Sequence, residues 1–346
     1  ALNDAGLETA DSLYVSNMLA DELQGQKHLG ALIADEAGLS GIEALNVRAA
    51  TASGAAALRA ACQAVASGMV ETALVVGVEK MSAAEASPVL AKALDAEFEV
   101  PVGATVLNQI ARLMAGYLER YRPPADALAH FSVNAHANAA GNPYALYCDR
   151  QYSPADVLAS RLIEAPIRLL DCAPICDGAA ALLLAPAGHP RAGRVRLVGS
   201  AAATDRFRLS DRPDPLRLRA IERSTNLLLE QAGVRRADID LFEAHDAFSI
   251  TACLSLEAAG FAAPGTGWQL ALAGEIAPGG RLPMATLGGL KARGHPIGAT
   301  AIYQACEIGL QLTGRAGSTQ VPGARLALMQ SIGGIGATAI SHLFSA

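Results

Sequence analysis

Three short stretches of this chain carry residue types that could do chemistry together. The densest is Leu287–Tyr303, LGGLKARGHPIGATAIY. It holds Gly288-Gly289, a basic pair at Lys291 and Arg293, then Gly294-His295-Pro296 and Gly298. Glycines at this density allow backbone angles and close approaches that a Cβ forbids. Pro296 biases the backbone of His295 toward extended geometry, so the imidazole is presented from a turn. An apolar helix is expected to leave that turn over Ala299–Leu312. A histidine held on such a loop suits donation to a developing oxyanion. The second stretch is Glu243–Ser249, EAHDAFS, with His245, and the third is Ala49–Gly54, AATASG, with Thr51. One G-H-P tripeptide alone would be an ordinary turn with a solvated histidine. Three such stretches in one chain argue for a site.

The elements that must position these residues read as an α/β layered chain. Ser12–Ser16, Leu45–Ala49 and the apolar run Ala73–Val78 have strand character. Helices are expected over Gln26–Ala37 and Ala55–Ala66, the second leaving the Thr51 turn. The run Ala179–Ala185 returns to the buried-strand pattern. Ala5-Gly6-Leu7 followed by Ser12–Ser16 recurs as Leu229–Val234 followed by Ile239–His245. That alignment places Asn17 opposite His245 and marks an internal repeat of two similar halves. Only five residues precede Gly6, whereas a strand at Arg194–Ser200 and a helix at Leu218–Gln231 precede Gly233. The first strand of the N-terminal half is therefore expected to be missing from this numbering.

Between the halves, prolines 88, 101, 123, 124, 143 and 154 punctuate short helices, Val106–Arg120 the longest. The expected organisation is residues 1–82 plus 166–187 as one half, 83–165 as an inserted loop domain and 193–346 as the other half. His136 beside Asn134 and Asn138 could form a site, but polar residues capping an exposed helix of the insert is the better reading. Leu326–Ser331 and Ala337–Leu343 read as a final strand pair around a glycine turn.

Composition narrows the function. At 346 residues, 51% apolar and 17% charged, the chain can bury a large core. A net charge of −6 is no nucleic-acid footprint. No apolar run approaches the ~20 residues that span a bilayer, and no leader is recognisable. Cysteines 62, 148, 172, 176, 253 and 306 show neither zinc-ligand spacing nor a disulfide framework. Free, buried thiols in a reducing cytoplasm are expected, with no metal.

In combination and order, QKHLGALIADEAGL (26–39), ASGMVETALVVGVEKMS (66–82), LLDCAPICDGAAALLLA (169–185), EAHDAFS, GGLKARGHPIGAT and SIGGIGAT (331–338) resemble the thiolase superfamily. The likeness is nearest to the archaeal-type acetoacetyl-CoA thiolases and the sterol-carrier-protein-X-like thiolases. It implies a duplicated α/β fold of five layers (α-β-α-β-α), with the loop domain holding coenzyme A. It implies acyl transfer on acyl-CoA thioesters, with coenzyme A as the substrate's carrier and no resident cofactor. A homodimer and a small zinc-ribbon/OB-fold protein are the partners it implies.

The resemblance also assigns a site. His295 and His245 would form an oxyanion hole for the thioester enolate. Thr51 stands where such enzymes carry the acyl-accepting cysteine of Cys-x-Ser-Gly, and Ser331-Ile332-Gly333 stands where many have Cys-x-Gly. The backbone N–H groups of Thr51 and Gly333 could form a second oxyanion hole. Ala247 replaces the cysteine of the H-D-C-F motif. A threonine hydroxyl is a poor nucleophile without an adjacent strong base. Two further readings follow: a cysteine-free acyl-CoA lyase, with Tyr303 or His295 handling protons, or a non-catalytic acyl-CoA-binding subunit. Arginines 206, 208, 212, 217 and 219 are either a solvated loop or a docking surface for coenzyme A phosphates or an acidic partner.

Overall fold

All five residues of Ser12–Ser16 are buried, as expected of a strand covered on both faces. In the computed structural model, which describes residues 1–346, this strand (β1) follows a short helix α1 (Leu2–Ala5). The chain continues through α2 (Ala20–Leu23), α3 (Leu29–Glu36), β2 (Glu43–Val47), α4 (Ser53–Ala66) and β3 (Ala73–Glu79). It then leaves the sheet for α5 (Ala86–Leu90), α6 (Val106–Tyr121), α7 (Ala129–Ala139), α8 (Pro154–Ala159) and a small hairpin, β4 (Leu162–Glu164) with β5 (Ile167–Arg168). It returns as β6 (Gly178–Leu184), completing a sheet of order β2-β1-β3-β6.

The second half repeats the scheme with β7 (Arg196–Thr204), α9 (Arg219–Ala232), β8 (Leu241–Glu243), α10 (Ser249–Ala258), α11 (Gly267–Leu272), α12 (Ile297–Leu312), β9 (Leu326–Gly333) and β10 (Thr338–Ser345). Its sheet has the order β7-β10-β9-β8. The repeat read from the sequence has a conformational counterpart. α1 ends on Gly6 at φ 65°, ψ 36°, and α9 ends on Gly233 at φ 64°, ψ 30°. This is the left-handed C-cap that glycine adopts without a Cβ penalty.

Five layers result. Leu13 and Val15 of β1 face outward onto Ala34 and Leu39 beside α3. Tyr14 and Val75 face inward onto Leu58 and Ala61 of α4 and Ala301 and Ile302 of α12. From the other side Met329, Ile340 and Phe344 of the second sheet close on the same two helices. Leu328 and Leu343 point outward to Leu228 and Ile221 of α9 and Ile250 of α10. Alanine and glycine dominate the central helices because two sheets must approach them at once. A Cβ on Gly77 would lie 2.7 Å from Ala299 Cα, and one on Gly298 would lie 2.7 Å from Asn17 Cα and 2.8 Å from the Val78 carbonyl. The crossing of β3 by α12 is possible only with glycine on both sides.

One expectation needs correcting. Continuous apolar strands such as Ala73–Val78 imply mainly parallel sheets in both halves. In the first, β1 pairs parallel with β2 and β3 while β6 is antiparallel. In the second, only β8–β9 is parallel, and β10 pairs antiparallel with both β9 and β7. The cause is the tight turn between β9 and β10, which makes those two strands a hairpin and seats β10 between β9 and β7.

Candidate active site

Apart from Ser331, which lies within β9, each candidate residue sits where a strand gives way to a loop or a helix begins. Thr51 lies two residues before α4, after Ala50 at φ 49°, a left-handed backbone that alanine rarely adopts. Such strain persists where surrounding structure imposes it, and it gathers at functional sites. The Thr51 hydroxyl donates to the Ile332 carbonyl at 2.5 Å, which joins the α4 start to β9. Ser331, in β9, is fully buried, and its Oγ has no partner. A Cβ on Gly333 would stand 2.8 Å from the Ala49 carbonyl, so Gly333 lies against the Thr51 turn.

His245 follows β8 and His295 precedes α12. Their rings meet edge to face, 5.1 Å between centroids with an interplanar angle of 85°. The two helix starts touch: a Cβ on Gly54, in the first turn of α4, would be 3.0 Å from Ala301 Cβ and 3.1 Å from the Gly298 carbonyl. Residues from positions 51, 245, 295, 331 and 333 are thus brought into one neighbourhood.

The electrostatics keep both imidazoles neutral. Burial drives His245 down to about 3, with Lys291 and Arg293 adding to the shift. Burial also lowers His295, assisted by His245 and Arg293. His245 is buried, whereas His295 keeps part of its surface open. The His245 Nδ1 has no partner, and the His295 Nδ1 lies 2.7 Å from Thr300 Oγ1.

Beneath the pair lies a buried charged framework. Asp246 Oδ1 accepts from the Leu290 N–H at 2.7 Å, and Lys291 Nζ donates to the Asp246 carbonyl at 2.7 Å. Arg293 Nε stands 2.8 Å from Glu307 Oε1, and its guanidinium lies 4.9 Å from the Tyr303 ring centroid. Burial pushes Glu307 up to about 8 and Glu243 up to about 7. Lys291 and Arg293 are buried; rather than facing solvent, Lys291 ties this loop to the His245 loop and Arg293 ties it to α12.

One positioning residue, Glu79, was not singled out from the sequence. Glu79, at the end of β3, accepts from the backbone N–H groups of Met18, Leu19 and Gly298, at 2.9, 3.0 and 2.9 Å. It thereby anchors the start of α12 next to His295. Asn134 and Asn138 were expected on an exposed helix. Asn138 is buried, and both donate to the Met284 carbonyl, at 2.9 and 3.2 Å. Asn142 donates to the Leu287 carbonyl at 2.8 Å. These asparagines, two in α7 and Asn142 just past its end, clamp the segment leading into the Gly288 turn. Their i, i+4, i+8 spacing was the available signal. His136 is also buried, against Tyr147 and Tyr152.

Of the arginine cluster, three members are committed to the protein. Arg208 pairs with Asp211 and Asp95, Arg217 with Glu222, and buried Arg212 donates to the Ile335 carbonyl. Cys148 is exposed, contrary to the expectation of buried thiols throughout, while Cys253 is in the core. Cys176 borders the His295 loop, its Sγ 2.7 Å from where a Gly294 Cβ would stand.

Comparison with known proteins places this architecture. The family models described as "Thiolase, N-terminal domain" and "Thiolase C-terminal domain-like" match residues 1–157 and 201–346. The chain is 41% identical to an acetyl-CoA acetyltransferase of Methanothermobacter thermautotrophicus, over 100% of this chain and 91% of that protein. It is 30% identical to sterol carrier protein 2 of Bos taurus, over 99% of this chain and 66% of that one. Among solved structures, one titled "Ltp2-ChsH2(DUF35) aldolase" shares the fold at a TM-score of 0.83 and 22% identity, covering 100% of this chain and 90% of that chain. No helix is long and apolar enough to cross a membrane. By its sequence relationships and its duplicated five-layer fold, this chain belongs to the thiolase superfamily, a family of acyl-CoA acyltransferases.

Proposed function

We propose that this protein activates acyl-CoA thioesters at the carbon beside the carbonyl, for Claisen-type condensation or its thiolytic reverse. The observation that supports this best is the neutral His245–His295 pair, 5.1 Å apart, next to the helix start that carries Thr51. Forming an enolate from a thioester concentrates negative charge on one oxygen, and preorganised donors there lower the barrier. Loss of one such donor typically costs ~3 kcal/mol. Neutral imidazoles suit the task at physiological pH, because each ring carries one N–H to donate and one lone pair to accept a proton. The backbone N–H groups of Thr51 and Gly333 are the second pair of donors in this reading, with Ser331 beside them.

Thr51 takes the place at which thiolases carry an acyl on cysteine. A hydroxyl hydrogen-bonded to the Ile332 carbonyl directs its proton away from any base. It presents no oxyanion, so acyl transfer through Thr51 itself is not part of the proposal. That observation favours a second reading, carbon–carbon bond cleavage without an acyl-enzyme, which needs the enolate-stabilising donors and a base but no nucleophile. A second copy of this chain and a small zinc-ribbon/OB-fold protein are the partners that go with the reading, and the cytoplasm its setting.

The test is exchange of the acetyl-CoA methyl protons in D2O, followed by mass spectrometry, together with thiolysis of acetoacetyl-CoA. Exchange together with thiolysis supports the acyltransferase. Exchange without thiolysis or a covalent adduct points to the lyase. Binding without either would overturn the catalytic reading in favour of an acyl-CoA-binding subunit.

A further inference from the structure

His295 does not meet the reaction with its two nitrogens alike. Thr300, fully buried in the first turn of α12, holds its Oγ1 2.7 Å from His295 Nδ1 and 3.1 Å from the Pro296 carbonyl. A hydroxyl has one proton to give and lone pairs to accept with. If Thr300 donates to Pro296, as helical threonines do to the carbonyl four residues back, its oxygen accepts from an Nδ1–H. Both contacts are then hydrogen bonds, and the His295 Nε2 is left as a bare lone pair. If Thr300 instead donates to Nδ1, two oxygens face each other at 3.1 Å with no proton between them. The first arrangement makes one more hydrogen bond, at a hydroxyl that is itself fully buried.

The other histidine has the opposite bias. The His245 Nδ1 is buried without any partner. Buried N–H groups without an acceptor are rarer than unused acceptors, so the proton of neutral His245 belongs on Nε2. The pair is therefore complementary: one ring offers a lone pair and the other an N–H.

We infer that Thr300 is a positioning residue that locks His295 in the Nδ1–H tautomer, making His295 the base and His245 the hydrogen-bond donor of the pair. The catalytic half of this rests on the acyl-CoA reading above. There, His295 Nε2 takes the proton from the carbon beside the thioester carbonyl. The C–H electron pair becomes the enolate double bond, and the carbonyl π pair moves onto the oxygen. That oxygen is held by the N–H of His245 Nε2. The division refines the reading above, in which both histidines donate: His245 keeps the donor role and His295 takes that of the base.

The experiment is a long-range proton–nitrogen NMR correlation on protein labelled with [15N]histidine at about pH 7.5, with His295 assigned from its loss in His295→Gln. Wild type and Thr300→Ser should both show a protonated Nδ1 and a bare Nε2. Thr300→Val, which keeps the shape and removes the hydroxyl, should lose that pattern. In the exchange assay Thr300→Val should be slower by about 10²-fold or more, the scale of general-base catalysis, and Thr300→Ser by no more than a few-fold. A wild-type spectrum with Nε2 protonated overturns the proposal, whether or not Thr300→Val folds. So does a tautomer unchanged in Thr300→Val. The predicted tautomers with no exchange in wild type uphold the role of Thr300 and refute the acyl-CoA reading instead.

Discussion

Placing a thiol at residue 51 tests whether the pocket around it is still built for acyl transfer. The variant is Thr51→Cys, made in a Cys148→Ser background because Cys148 is exposed and would label first. A free cysteine titrates at about 8.5, and a helix N-terminus stabilises an anion by about 0.3–1 kcal/mol, or roughly 0.2–0.7 pKa unit. The start of α4 should therefore bring the introduced thiol to about 8. The Ile332 carbonyl, which Thr51 now meets at 2.5 Å, would face the thiolate and hold it from falling further. At about pH 8 roughly half of this thiol would be ionised. Burial pushes the competing thiols the other way, Cys172 to about 12 and Cys306 to about 11. Their ionised fractions at that pH are on the order of 10⁻⁴ and 10⁻³. Iodoacetamide should thus label position 51 at least about a hundredfold faster than either, and acetyl-CoA should leave an acetyl group there slowly. Peptide mapping by mass spectrometry reads both. Wild-type protein should carry no acetyl on Thr51, and finding one would refute the account of its hydroxyl. A folded Thr51→Cys that reacts with neither reagent would show that the surroundings no longer support a nucleophile.

Three further outcomes can be checked on stability. Gly298→Ala should lose about 1–3 kcal/mol in urea unfolding, because its Cβ would press on backbone atoms of Asn17 and Val78 rather than on a movable side chain; an unchanged midpoint would refute the crossing constraint. Asn138→Leu should cost about 0.5–1.5 kcal/mol, since it removes hydrogen bonds to the Met284 and Ala285 carbonyls while Asn134 and the Gly288 N–H still serve them, and a neutral result would mean Asn138 does not clamp the loop. Burial lowers His342 to about 4, whereas an unfolded imidazole titrates near about 6.5, so unfolding takes up a proton between those values and stability falls as the pH drops through them. His245 acts in the same sense and the raised Glu243 and Glu307 in the opposite one, so the readout is a difference: the advantage of wild type over His342→Gln should shrink by about 2 kcal/mol from about pH 7 to about pH 5. A pH-independent difference would refute it.

The family, the duplicated halves and the positions proposed to bear the chemistry are legible in the order of the residues, because they depend on local signals. Glycine at 6 and 233 is required by left-handed helix ends, unbroken apolar runs such as Ala73–Val78 announce strands buried on both faces, and Pro296 constrains His295 through one peptide bond. What those residues meet is legible only in the folded chain. The direction of β10 depends on a hairpin that seats it beside a strand more than about a hundred residues earlier. The burial of Asn138 depends on which segment α7 lies against, and its own polar sequence argued for solvent. Glu79 anchors Gly298 across a separation of 219 positions, which no periodicity could reveal. The proton on His295 is settled by a hydroxyl five residues away whose other partner is met only once α12 is wound. Hydrogen bonds saturate in pairs, and pairing is a property of the folded neighbourhood rather than of either residue.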